Sequence, residues 1–483
     1  MKKLAILITA VIFASCSSDL ESLNENIKDP LAVPGESLFT GAQKNLVDQV
    51  VDLNVNNNNT KLWAQYLQET TYTDESNYDQ VTRTIPAKHW SVMYKDVLKD
   101  LDEAKIVIEA TTYSTAELEA LKPNKLTIIE ILNVYTYANL VETFGDVPYS
   151  EALDVDNLLP KYDDGETIYK DLVARLTAAI NALDETTGSF GSADRIYGGD
   201  VALWKKFAAS LKLRMGILLS DVDEAFAKTT VESAVATGVF TSNDDNAAYE
   251  YLGSDPNTNP VYDNLVLSGR NDFVAAATII DAMNALDDPR LPLYFLPTSG
   301  GIYEGGGIGE PSSYSSYSHV SAQLEEATFP GIILDYSEVS FLLAEARARS
   351  FEVGGTAKEH YDAGITASIL YWGGTAEEAT DYLAQPNVDY DLSILASTAT
   401  TPWKEVIGTQ KWISLYNRGM EAWTSIRLLD YPLMATPADA VSGFPNRYTY
   451  PIIEQSLNGA NYSSAASAIG GDEPETQLFW DLN

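Results

Sequence analysis

Three histidines, His89, His319 and His360, are the only imidazoles in a chain of 483 residues, and they lie in different segments. No His-x-x-x-His pair and no Cys–His spacing joins them, so neither a zinc site nor a nucleophile–base triad can be read. A Gly-x-x-x-x-Gly-Lys loop is missing, which removes the commonest phosphate cradle. Gly305, Gly306, Gly307 and Gly309 follow no strand, which argues against a dinucleotide site. Among 69 acidic residues a glycosidase-type carboxylate pair stays open. Arg418 and Glu421, three apart on a helix, with Arg427 within reach, read as a buried ion-pair cluster rather than as catalysis. No cofactor and no metal is called for. Whether calcium sits in an acidic run such as Asn243-Asp244-Asp245-Asn246 stays open.

Binding chemistry is better represented. A sugar ring has an apolar face of C–H groups and a polar rim. Flat aromatic side chains match the face, and Asn, Asp and Arg match the rim. Tyrosine is twice as common as phenylalanine, 28 against 14. Tyrosine can be exposed and still bind, because its ring carries a polar handle. One candidate platform is "TYTDESNYDQVTRTIPAKHW", residues 71–90, which offers Tyr72, Tyr78 and Trp90 with Asn77, Asp79 and Arg83. The alternative for Trp90 is core, since it also lies on a helical stripe. A second candidate is Tyr303, Tyr314 and Tyr317 in "PTSGGIYEGGGIGEPSSYSSYSHV", residues 297–320. Rigid aromatic plates among small polar residues are the mixture that paratopes use.

The elements that must position these loops read mostly as helix. Three- and four-residue apolar spacing predicts helices over 37–55, 60–70, 86–110, 127–143, 165–184, 199–220, 223–237, 271–286, 336–352, 356–372, 375–384 and 402–428. The 127–143 helix is apolar on every face and should be buried. Trp63, Trp204, Trp372, Trp403, Trp412 and Trp423 fall inside helices and are expected in the core. Many helices come in pairs with short joints, the pattern of stacked helical hairpins. No segment matches the 34-residue tetratricopeptide consensus literally. Residues 238–270 and 287–335 are rich in Gly, Pro, Ser, Asn and Tyr and break the helical run, and the end from Pro451 reads as irregular. In "TFGDVPYSEAL" (143–153), Gly145 stands where a left-handed helix cap is wanted. Pro148 then forbids the helix to resume. The turn reads as a fixed structural corner.

The start of the chain has a three-part export layout: Lys2 and Lys3, then uncharged Leu4 to Ala14, then Cys16 after two small residues. Cys16 is the sole cysteine, so no internal disulfide forms. The segment resembles a bacterial lipoprotein signal, with Phe13-Ala14-Ser15-Cys16 in the place of the lipobox. That resemblance implies cleavage before Cys16, which would carry the lipid. Residues 1–15 are then the signal peptide, 16–36 a lipidated cysteine and flexible tether, and 37–483 a single domain. The net charge of −38 becomes −40 once Lys2 and Lys3 leave with the signal. So acidic a chain repels nucleic acid and anionic lipid surfaces. Nothing after the signal approaches 18 apolar residues, so no further membrane span is expected.

Beyond these readings, several stretches resemble, in order, the SusD/RagB family of nutrient-binding outer-membrane lipoproteins. They are "TFGDVPYSEAL", "SGRNDFVAAATIIDAMNALDDPRLPLYF" (268–295), "DYSEVSFLLAEARAR" (335–349), "WISLYNRGMEAWTSIRLLDYP" (412–432) and "FPNRYTYPIIEQSLNGANY" (444–462). The chain ends Leu478-Phe479-Trp480-Asp481 where the SusD-like subgroup shows two tryptophans. The resemblance implies a mostly α fold of tetratricopeptide-like stacked helix pairs with an irregular, loop-rich second half. It also implies a lipid-anchored protein of the cell surface, held on the outer membrane by that anchor. Such a protein captures oligosaccharide, or peptide, for a SusC-like TonB-dependent outer-membrane transporter. The runner-up is a lipid-anchored surface glycoside hydrolase. The family's ligand aromatics do not map onto this chain by motif.

Overall fold

The computed structural model describes residues 33–482. The signal peptide, Cys16 and nearly all of the predicted tether lie outside the described residues.

Helical hairpins dominate. Helix α1 (Gly35–Val51) packs on α2 (residues 85–110), and α3 (Lys122–Phe144) on α4 (Gly165–Ala182). Then α5 (Val201–Leu218) packs on α6 (Glu224–Thr237), and α8 (Tyr336–Ala348) on α9 (Ala357–Tyr371), with α7 (Ala277–Ala285) between these pairs in sequence. Their starts are written in capping side chains. Asp164, Asp200, Asp223 and Asp335 accept first-turn backbone N–H groups, and Thr356 with Glu359 forms a reciprocal capping box. The predicted all-round apolar helix is α3, buried from Ile128 to Phe144 with few interruptions. Further along come α10 (Ala376–Leu383), α11 (Pro402–Ser414), α12 (Gly419–Leu429), α13 (Ile452–Leu457) and α14 (Gly459–Ala468).

Several predicted spans are corrected. The 60–70 helix stops at Trp63. Tyr66 N–H bonds the Lys61 carbonyl and Gln65 N–H the Leu62 carbonyl, with Gln65 left-handed at φ 54°. That is a Schellman cap without glycine. The Gln65 amide offsets the strain by bonding both the N–H and the carbonyl of Ala435. Residues Leu67–Glu69 then form β1, antiparallel to β5 (Phe273–Ala275), so the 271–286 span begins as strand and turns helical only at Ala277. The 402–428 span is two helices, broken where Asn417 is left-handed at φ 69°. Residues 85–110 are helical throughout but widen to π geometry over Val92–Leu98. The end from Pro451 carries two short helices, not an irregular tail. Helix α1 begins at Gly35, inside the predicted tether, where glycine allows close packing on α2: a Cβ would lie 2.6 Å from Ile108.

Small strand pairs pin the connections: β2 (Val147–Pro148) with β3 (Tyr162–Asp163), β4 (Ala247–Tyr249) with β8 (Gly331–Leu334), and β6 (Phe295–Leu296) with β7 (His319–Val320). The corner after α3 is structural, as its sequence implies. Gly145 sits at φ 87°, and Asp146 accepts the N–H of Gly165 at the start of α4. The C-terminal segment closes on it, Arg447 donating to the Phe144 carbonyl and Tyr450 to that of Asp146.

The named tryptophans are buried, except that Trp403 is half-buried beneath the Arg349 guanidinium. Arg418 anchors the expected ion cluster, 2.6 Å from Glu338, 3.1 Å from Asp335 and 3.7 Å from Glu421. Arg427 stands apart from it. Its guanidinium lies 3.7 Å over the Trp423 ring and donates to the carbonyls of Glu142 and Asn446.

Candidate functional site

Strand β1 runs directly into the first candidate loop, and β5 carries the edge on which the second is hung. The Ala275 N–H bonds the Ser318 carbonyl, the Gly306 N–H bonds the Ala275 carbonyl, and the Ala277 N–H returns to Gly306. Gln68 of β1 completes the join, donating to the Glu310 carbonyl and accepting from the Gly309 N–H. Two loops more than 200 residues apart in sequence are thus fixed to one strand pair.

Asn77 is the clasp. Its amide donates to the Gly309 carbonyl at 2.9 Å and accepts from the Asp439 N–H at 2.9 Å, while its own carbonyl receives the Val441 N–H. Gly309 is required there: φ is +76°, and a Cβ would fall 2.3 Å from the Asn77 Oδ1. A third segment, residues 433–443, therefore joins the two that the sequence singles out.

The candidate side chains divide by exposure. Tyr72 is 71% exposed at φ 43°. Tyr314 is half-buried and stacks on His319, ring centroids 3.8 Å apart and 6° from parallel. The Nε2–H of His319 donates to the Tyr314 carbonyl, which holds the stack in place. Tyr317 is half-buried, and Tyr303 is half-buried against the core cluster of Ile279 and Tyr294. Asn77 and Tyr78 are buried. Tyr78 packs edge-on against Trp63 and Phe444, and burial pushes its hydroxyl up to about 12. Trp90 lies half-buried in an aromatic nest of Tyr94, Phe144, Tyr162 and Tyr450. Asp79 folds back on Val81 and Thr82, and the Arg83 guanidinium pairs with Glu75. Tyr72, Tyr314 and Tyr317 are therefore the rings with a face to offer.

On either side of Tyr72 in sequence stand two buried carboxyls, Glu69 and Glu75. Glu69 accepts from the N–H and hydroxyl of Ser76, at 3.0 and 2.8 Å. Burial first, and then the neighbouring Glu75, drive the Glu69 carboxyl far above the usual carboxylate range; burial raises Glu75 as well. One proton shared between them is the natural state. Both side chains are buried, Glu69 at the end of β1 and Glu75 in the loop, where it pairs with Arg83, so the two brace the loop where it leaves the strand.

The histidines do not converge. His89 is buried between Gln49 and Asn139, and burial lowers it to about 4, so the ring is neutral. His360 bonds the Gly354 carbonyl. Among the described residues no group of three or more His, Cys, Asp or Glu is placed to hold a metal. In the acidic run at 243–246, Asp245 is held by the Lys206 ammonium at 2.7 Å, and Asn246 accepts the Tyr336 N–H.

Two clefts open on either side of Tyr78. One, of about 540 Å³, lies between Asp79, Tyr450, Ile452, Gln455 and Asp472. The other, of about 360 Å³, is lined by Met434, Phe444, Asn446 and Arg427. Their walls include residues 432–444, which sequence reasoning passed over. The signal was present in "PLMATPADAVSGF", a run of small residues and prolines as biased as the two loops it clasps.

The family described as "Starch-binding associating with outer membrane", SusD-like, matches residues 27–451. Among solved structures, a chitin-binding protein is 26% identical, with a TM-score of 0.79 over 93% of this chain and 100% of that one. A SusD homolog from Bacteroides uniformis is 26% identical, with a TM-score of 0.79 over 92% and 99%. A chitin-binding SusD homolog from Flavobacterium johnsoniae, 24% identical, shares the fold with a TM-score of 0.76 over 93% and 98%. No curated protein matches the chain.

Proposed function

The chain belongs to the SusD-like family, whose members associate with the outer membrane, and from that premise we propose that it captures oligosaccharides at the cell surface and passes them to a SusC-like TonB-dependent transporter. In this reading Cys16 carries the lipid anchor, and the protein binds without turning over its ligand. One observation carries the proposal: an exposed Tyr72 ring and the braced Tyr314–His319 stack, presented on loops locked to one strand pair. The Tyr314 ring, stacked on His319 before the ligand arrives, loses little side-chain freedom on binding. The family's description and the chitin-binding structures of the same fold favour glycan over peptide. Transport favours modest affinity, since the ligand must leave.

The test is a calorimetric screen of the soluble chain, residues 20–483, against oligosaccharide and peptide panels. Saturable, micromolar-range binding of one sugar class, weakened by Tyr72→Ala or Tyr314→Ala, supports the reading. Turnover of any oligosaccharide by the purified protein would reverse it in favour of a surface glycoside hydrolase.

A further inference from the structure

Lys411 on α11 carries a buried ammonium that nothing in the protein accepts from. It is 4% exposed, and among the described residues its side chain has no hydrogen bond and no ion pair. Glu345 and Glu338 attract it only from beyond ion-pair reach, while Arg214 and Arg418 repel it. The side chain lines a chamber of about 40 Å³ where α3, α5, α8, α11 and α12 meet. Ser425 of α12 lines the same chamber, and its buried hydroxyl has no partner either. The other polar groups on the walls are already engaged. Glu338 takes Arg214 at 2.8 Å and Arg418 at 2.6 Å. Glu142 accepts from the Tyr169 hydroxyl at 2.7 Å, and Glu421 from the Tyr135 hydroxyl at 3.3 Å. Buried polar groups without hydrogen bonds are costly, a buried charge most of all, so two of them around one chamber point to an occupant.

We propose that the chamber is an internal hydration site, in which trapped water accepts from the Lys411 ammonium and bridges it to the Ser425 hydroxyl and the Glu421 carboxylate. Size and charge select the occupant. A buried water needs about 10–15 Å³ of such space and about three hydrogen bonds, so the chamber has room for roughly three. It falls far short of the ~300 Å³ at which pockets for organic ligands begin. Glu142, Glu338 and Glu421 outnumber Arg214 and Lys411 on its walls, which opposes a halide. The ammonium and the guanidinium oppose a metal cation for the same reason. Water alone can accept from Lys411 and Ser425 and still donate to Glu421. It also lets a lysine stay charged among packed helices: burial lowers the ammonium, and each hydrogen bond that it donates works against that shift.

The experiment is a crystal structure of the full-length chain, from crystals grown with and without sodium bromide. Ordered water is expected within hydrogen-bond distance of both the Lys411 Nζ and the Ser425 Oγ, with no anomalous bromide peak in the chamber. A dry chamber, or Lys411 bonded directly to a carboxylate, would overturn the proposal. A bromide peak beside Lys411 would overturn it in favour of an anion site. Lys411→Met keeps the length of the side chain and removes the donor, so the chamber should lose at least one water. The same waters in the same places would show that Lys411 does not hold them and would overturn the assignment. Should that variant fail to fold, Ser425→Ala, a far smaller change, makes the same comparison at the other end of the bridge, and the wild-type crystals decide by themselves whether the chamber is wet.

Discussion

Replacing Tyr72 and Tyr78 by alanine, one at a time, separates the binding loop's surface from its support. The two rings are six residues apart in one loop, yet one is 71% exposed and the other 3%. Truncating Tyr72 removes a free aromatic plate. By analogy with bases stacked on aromatic side chains, such a plate contributes about 1–3 kcal/mol, so affinity for the bound sugar should fall roughly 5- to 150-fold. Folding stability should move by less than about 0.5 kcal/mol, as for surface positions generally. Its positive φ is no objection, since alanine meets the same restriction as tyrosine. Truncating Tyr78 empties a site enclosed by Trp63 and Phe444. By analogy with other buried aromatics it should cost about 3–5 kcal/mol of stability. Calorimetry and urea titration on the same two preparations read both effects. Tyr72→Ala with unchanged affinity, or Tyr78→Ala with an unchanged urea midpoint, would refute the division of labour.

Gly145→Ala should destabilise by roughly 2–4 kcal/mol, from the left-handed backbone and a Cβ placed 2.9 Å from Leu478, and a urea midpoint within error of wild type would sink that account. Burial holds His89 at about 4, below its unfolded value near 6.5, so the unfolded chain binds the extra proton first. The stability it contributes is present above pH 6.5 and is lost as pH falls toward 4, about 3 kcal/mol in full, and urea midpoints across that window should show the slope. Glu69 is shifted the other way: its folded carboxyl holds its proton longer than the unfolded one, so its contribution is complete below the usual carboxylate range and declines as pH rises above it. Glu69→Gln keeps the hydrogen bonds without the titration, so it should flatten the alkaline loss of stability; a steeper loss in the variant would show that the carboxylate is the stabilising form.

The sequence alone showed most of the helices and their pairing, because their apolar residues recur at helical spacing and several begin on a capping Asp or Thr. It determined the corner at Gly145 for the same reason: a glycine, an aspartate and a proline in the right order state a turn locally. It also favoured binding over catalysis as the class of chemistry, since tyrosine-rich loops can offer rings and the three histidines share no motif spacing. What it could not give was which ring faces solvent. Tyr72 and Tyr78 are the same residue in the same polar loop, and only packing against Trp63 and the far segment that carries Phe444 buries one of them. Gln65 closes a helix in a conformation that sequence reserves for glycine, because the Ala435 backbone, 370 residues on, satisfies its amide. Asn77 reads as a polar group for a ligand's rim, yet it spends its bonds on Gly309 and Asp439. Contacts between segments hundreds of residues apart leave no periodicity to read, so the tertiary structure alone decided which candidate residues form the surface and which hold it in place.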